Sequence, residues 1–134
     1  MINLNSLKVG DYVIAEYEST LREGEVTNVD HDENKACVAT DVQEFWYSPV
    51  HLHPIPLNDE QLMKLNFEKD VLESGSVKYK KGAFRLMTKI PNDFTNIEIW
   101  YREDRRQHPD VHSIHQLQNQ YLDMTKVHLT REQI

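Results

Sequence analysis

The sequence predicts an α+β protein, and three observations predict it. Short alternating runs fill the first 57 residues, a capped helix start follows a Pro-Ile-Pro connector, and an apolar stripe of helical period lies near the end of the chain. Length and composition set the frame. With 134 residues, 39% hydrophobic and 28% charged, the chain has the make-up of one water-soluble domain, or of two very small modules sharing a core. Such a chain buries enough surface to fold without a metal or a disulfide. A single cysteine allows no internal disulfide and suits a reducing compartment. No apolar run is long enough to span a bilayer, and no charged segment followed by an apolar one marks the N-terminus. The expectation is a cytoplasmic protein with no membrane partner.

The elements follow in order. Gly10-Asp11 signals a turn, after which Tyr12 to Tyr17 alternate. Residues 25–29 make a second β-rich run, and Asp30-His31-Asp32-Glu33-Asn34 forms a hairpin loop. Residues 36–40, 44–47 and 50–53 supply three more short strands. Five short strands with tight connections in so few residues predict a small SH3-like barrel over residues 1–57. Its opening, Leu7 to Val13, is similar to the first strand of Tudor-like and KOW-like modules. Pro54 and Pro56 cannot sit inside a helix and place a module boundary before residue 58.

The second module, residues 58–134, reads as helix, three antiparallel strands, helix. Asn58 caps the first helix, with Gln61 completing a capping box, Leu57 and Leu62 forming a hydrophobic staple, and Asp59 and Glu60 at the positive end of the dipole. Replacing Asn58 by Ala should cost about 1 kcal/mol. Asn66 tolerates the left-handed conformation that ends the helix, with Phe67 packing back. Residues 76–80 and 83–87 form a hairpin about Lys81-Gly82; residues 96–101 add a third strand; Arg102 to Asp110 read as a polar loop. Ser113 caps the last helix, with Gln116 as its capping-box partner. Ile114, Leu117, Tyr121, Leu122 and Met124 form its apolar arc, opposite Gln116, Asn119, Gln120 and Asp123. Gln118 interrupts the arc. It either satisfies backbone groups of the sheet or barrel, or faces a pocket or interface.

The net charge of −7 lies entirely in the first module: residues 1–57 hold three basic residues, Lys8, Arg22 and Lys35, against ten acidic ones, whereas residues 58–110 hold ten of each sign. Phosphate contacts need Lys and Arg, so no nucleic acid is expected as a partner. An acidic module fits a protein partner, basic by charge complementarity. Phe45, Trp46 and Tyr47 offer a base-stacking or methyl-lysine platform, against which stands core packing, since alternation buries at least one of them.

Two stretches carry a resemblance. Pro54 to Lys69, PIPLNDEQLMKLNFEK, resembles the pattern PIPLTEEWLLKLGFEK; Ile114 to Asn119, IHQLQN, with Tyr121, Leu129 and Thr130, resembles VHQLQNLYFALTGEEL. Leu7 to Val13 is similar to LRIGNLV in the same family, a set of small uncharacterised bacterial and prophage-encoded proteins. Asp59 and Asn66 depart from the family's Glu-like and Gly residues, and both preserve the cap logic. The resemblance implies a cytoplasmic protein in a phage or mobile-element setting and implies no activity.

Candidate chemistry is sparse. Asp110, His112 and His115 are suitable metal ligands near a helix start, and a small metal-dependent hydrolase would use them, but no second ligand pair accompanies them. His51 and His53 fall on one face of a strand. Cys37 reads as a small buried hydrophobe. The four glycines are isolated, so no phosphate loop exists and no cofactor is expected. Arg102, Arg105 and Arg106 form a local basic patch diluted by Glu103 and Asp104. The expectation is therefore a non-enzymatic interaction module binding a protein through the acidic barrel, with Trp46 and Tyr47, or through the groove beside the last helix, with His115 and Gln118. The alternatives are the hydrolase and an acidic mimic of nucleic acid. Nothing in the sequence sets the oligomeric state.

Overall fold

Antiparallel sheet and two helices build this α+β chain. The computed structural model describes residues 2–107 and 110–132. The chain divides into two compact units, Met1–Pro56 with Ser113–Asn119, and Leu57–His112 with Gln120–Ile134.

The first unit holds β1 (Tyr12–Tyr17), β2 (Thr20–Asp30), β3 (Lys35–Thr40), β4 (Glu44–Tyr47) and β5 (Leu52–His53), in the order β4-β3-β2-β1-β5. A two-residue turn joins β1 to β2, with Tyr17 paired to Thr20 and positive φ at both Glu18 (49°) and Ser19 (65°). This is the type I′ signature, matched to the twist of the strands but made here without Asn or Gly. The 11-residue β2 serves two partners, pairing β1 through residues 20–25 and β3 through residues 24–30, with a register shift between Val26 and Asn28. Gly24 sits where the two ladders overlap. A Cβ there would lie 2.6 Å from Val38 Cγ1 and 2.7 Å from Ala39 O, so only glycine lets β3 approach. Val13, Ala15, Val26, Ala36, Val38, Tyr47 and Leu52 pack with Ile2, Leu4 and Leu7 as the core.

The expected small barrel over residues 1–57 is not closed. Among the described residues β4 and β5 remain the two ends of the sheet order. Closure needs edge strands long enough to share a ladder, and β5 offers two residues, both spent on Ile14 and Ala15 of β1. Residues 113–119 complete the unit. Ile114 N donates to Ile55 O at 2.8 Å, and Ile114 and Leu117 are fully buried.

The second unit holds α1 (Asp59–Lys64) and a five-stranded meander, β6 (Glu68–Val71), β7 (Val77–Lys81), β8 (Phe84–Thr88), β9 (Ile97–Tyr101) and β10 (Asp104–Gln107), in sequential order. Only the middle three strands were expected. The edge strands were missed because their residues, polar apart from Val71, are almost wholly exposed and give no alternation, and the segment expected to be a loop after Arg102 instead turns and pairs Asp104 with Tyr101. Cross-strand charge holds them: Lys80 Nζ lies 3.7 Å from Glu68 and 3.5 Å from Asp70, and Arg105 stacks over Trp100 at 4.8 Å while pairing with Glu98. Val77, Tyr79, Phe84, Leu86, Ile97 and Ile99 form the buried face.

Helix α1 is short and secured at both ends. Asn58 Oδ1 accepts from Gln61 N at 2.8 Å. Asn66, at φ 66°, donates to Met63 O, and Phe67 N donates to Leu62 O, the paired bonds of a Schellman stop. The second helix, α2 (Ile114–Thr125), crosses the division between the units; in the second unit Tyr121 meets Phe84 edge-on at 4.8 Å. No helix among the described residues is long and apolar enough to cross a membrane.

Candidate functional site

Two features of the first unit stand out, one open and one sealed. The open one is a groove of about 530 Å³ between the β1–β2 turn and β4, lined by Glu16, Tyr17, Glu18, Phe45, Trp46 and Tyr47 together with Ser19, Lys35, Ser48 and His51. Along β4 Tyr47 is buried, whereas Phe45 is 39% and Trp46 47% exposed; Tyr17 is 45% exposed. The Tyr17 and Phe45 rings are 5.3 Å apart and tilted by 60°, and Phe45 continues to Tyr47 at 6.5 Å. Tyr17 and Phe45 thus meet at one exposed corner of the sheet, joined to Tyr47 in the core, and Trp46 also lines the groove. Glu16 is held at the groove by His53 Nε2, 2.9 Å from its Oε1. Glu18 is placed by the left-handed backbone of the turn.

The sealed feature is a buried polar cluster. Gln118 Oε1 accepts from Tyr12 N at 2.8 Å, and its Nε2 donates to Gly10 O at 2.9 Å. Asn119 Nδ2 donates to Ser6 O, Asp11 Oδ2 and His115 O. Asp11 is buried and also accepts from Lys8 N at 2.9 Å. Burial pushes its carboxyl up to about 6 despite those hydrogen bonds. His115 is buried too, and burial pulls its imidazole down to about 4. The Ser113 hydroxyl donates to Gln116 Oε1, and His115 Nδ1 lies 3.1 Å from Ser113 Oγ.

The sequence-derived candidates separate accordingly. Trp46 and Tyr47 line the groove. Gln118 and His115 are buried, the amide engaged with the backbone of residues 10 and 12. Asp110 and His112 are exposed, His108 lies outside the described residues, and among those described no three His, Cys, Asp or Glu side chains gather as a metal site. His51 ends a 3-10 turn (Pro49–His51) and His53 lies in β5, so the two do not share a strand face. Cys37 is buried. Arg105 and Arg106 pair with Glu98 and Asp104 of their own hairpin.

Tyr17 and Glu18 were not singled out from the sequence. The signal was present: Tyr-Glu-Ser-Thr between two alternating runs has the length of a tight hairpin, whose tip residues flank the face built by β1. Asn119 was assigned to the polar face, where its half-burial and three acceptors were invisible, and Asp11 was read only as a turn residue. No protein-family model, curated protein or solved structure matches this chain.

Proposed function

We propose that the chain is a non-enzymatic protein-interaction module, built on an SH3-like N-terminal unit whose acidic surface engages a basic protein partner in the cytoplasm, in a phage or mobile-element setting. The observation that carries the reading is the exposure of Tyr17, Phe45 and Trp46 beside Glu16 and Glu18. Exposed aromatic side chains gathered with polar residues mark interaction surfaces, because aromatic rings bring large contact area at low entropy cost. Charge supports it: of the ten acidic residues of the first 57, only Asp11 is buried, and the other nine reach solvent against three basic residues. The SH3-like reading is supported by the strand order, a four-strand meander whose fifth strand returns to the first after a 3-10 turn. The buried groups with catalytic potential, Asp11, His115 and Gln118, are occupied in holding the unit together.

The test is affinity purification from the native host with mass spectrometry, comparing the wild-type chain with a Glu16→Gln/Glu18→Gln/Glu23→Gln/Glu25→Gln variant. The expected result is a basic protein enriched by the wild type and lost with the variant. Equal recovery by both, or enrichment of nothing above a control, contradicts the reading. The same unit charge favours a second reading, a mimic of nucleic-acid charge; such binding weakens steeply with salt and tolerates loss of the aromatic side chains.

A further inference from the structure

We infer that the groove between the β1–β2 turn and β4 is an arginine-binding site, in which a guanidinium of a basic partner segment lies against the Tyr17 and Phe45 rings and pairs with the Glu18 carboxylate; the inference rests on the interaction reading above and names its site and ligand. Aromatic faces carry negative potential and attract a cation within about 6 Å of the ring centre. The Tyr17 and Phe45 rings, 5.3 Å apart and tilted by 60°, form an open corner rather than a closed stack, so ring surface stays available to a partner. Glu16 and Glu18 border that corner, and Lys35 is the one lysine or arginine among its lining residues. A planar, weakly hydrated guanidinium satisfies both walls at once: it stacks on a ring and donates two parallel hydrogen bonds to a carboxylate, which an ammonium does not do. The volume of about 530 Å³ suits a long side chain and part of its backbone. The unit around the groove carries the whole net charge of −7, which draws a basic segment in and repels an acidic one.

The turn that presents Glu18 adds to the case. Both of its central residues sit in the left-handed region, where Asn and Gly are the residues that fit at little cost. Glu at the first of these positions does nothing for the turn itself, and it places a carboxylate at the groove mouth.

The experiment uses the full chain and an arginine-containing basic peptide, followed by the two tryptophan indole N–H signals in ¹⁵N-correlated spectra. Trp46 lines the groove and Trp100 does not; a Trp100→Phe variant assigns them. The expected result is a saturable shift of the Trp46 signal. Tyr17→Ala should weaken binding roughly 3- to 30-fold. Glu18→Gln should weaken it as well, and the same peptide with citrulline for arginine should not bind. Tyr17 and Glu18 are exposed, and thermal unfolding of each variant checks that it folds. Equal binding of the citrulline peptide, or full binding by Tyr17→Ala, overturns the arginine site. If binding then disappears on neutralising Glu25, Asp32 and Glu33, the acidic unit still acts as an interaction surface and only the groove assignment falls. Absence of binding by any basic peptide overturns the site as well, and the host purification decides the broader reading separately.

Discussion

Asp11 and His115 are both buried in the first unit, and their titrations oppose each other. Folded Asp11 keeps its proton to about pH 6, whereas an unfolded Asp loses it near 3.8. Between those values the folded state holds more protons, so this residue makes stability fall as pH rises. Folded His115 stays neutral down to about pH 4, whereas an unfolded His protonates near 6.5. There the unfolded state holds more protons, so this residue makes stability rise with pH. Each contribution is roughly 3 kcal/mol, and over pH 4 to 6 the two nearly cancel. Urea unfolding from pH 4 to 7 should therefore show Asp11→Asn gaining about 3 kcal/mol on the wild type as pH rises, and His115→Gln losing about as much. Parallel curves for wild type and both variants would sink this account. The sequence showed neither burial. Gln118 was legible because an amide in an apolar arc demands partners, and the two residues that it reaches, Gly10 and Tyr12, flank Asp11. A carboxylate in a turn and an imidazole at the edge of an arc raise no such demand until the chain is folded around them.

At the scale of elements, legibility tracked local chemistry. The α1 helix could be read from its caps because capping is a contract between residues three to six apart, and Asn58, Asn66 and Phe67 all honour it. Strands β7, β8 and β9 announced themselves by alternation, because one face of each is buried. Strands β6 and β10 did not, because an exposed edge strand is held by its ladder and by cross-strand charge, neither of which leaves a period in the sequence. Gly24 is a similar case. Nothing in a strand pattern shows how closely Val38 and the Ala39 backbone of β3 approach it. Gly24→Ala should destabilise the chain by about 1–3 kcal/mol, through displacement of Val38 and the backbone at Ala39. A thermal midpoint within error of the wild type would show that β2 and β3 separate at no cost.

At the scale of the molecule, charge and the aromatic trio gave the sequence reading its direction, while the geometry supplied what patterning does not. Composition placed the net charge in the first 57 residues; the fold puts nine of those ten carboxylates at the surface and spends the tenth on a buried cluster. Burial sets Tyr47 apart from its exposed neighbours Phe45 and Trp46, and the fold brings in Tyr17 from another strand to share their groove. Strand count alone suggested a closed barrel, but closure depends on edge length, which a count of runs does not measure. On the proposed function, this acidic unit recognises a basic partner by contact as well as by field. Isothermal titration of the wild type and of Glu16→Gln/Glu18→Gln with an arginine-rich peptide tests it, at about 50 and about 300 mM salt, where exposed charges are weakly and strongly screened respectively. Wild-type binding should weaken with salt but survive at the higher concentration, and the variant should bind less tightly at both. Binding that vanishes at the higher salt, or that the variant retains in full, would contradict it.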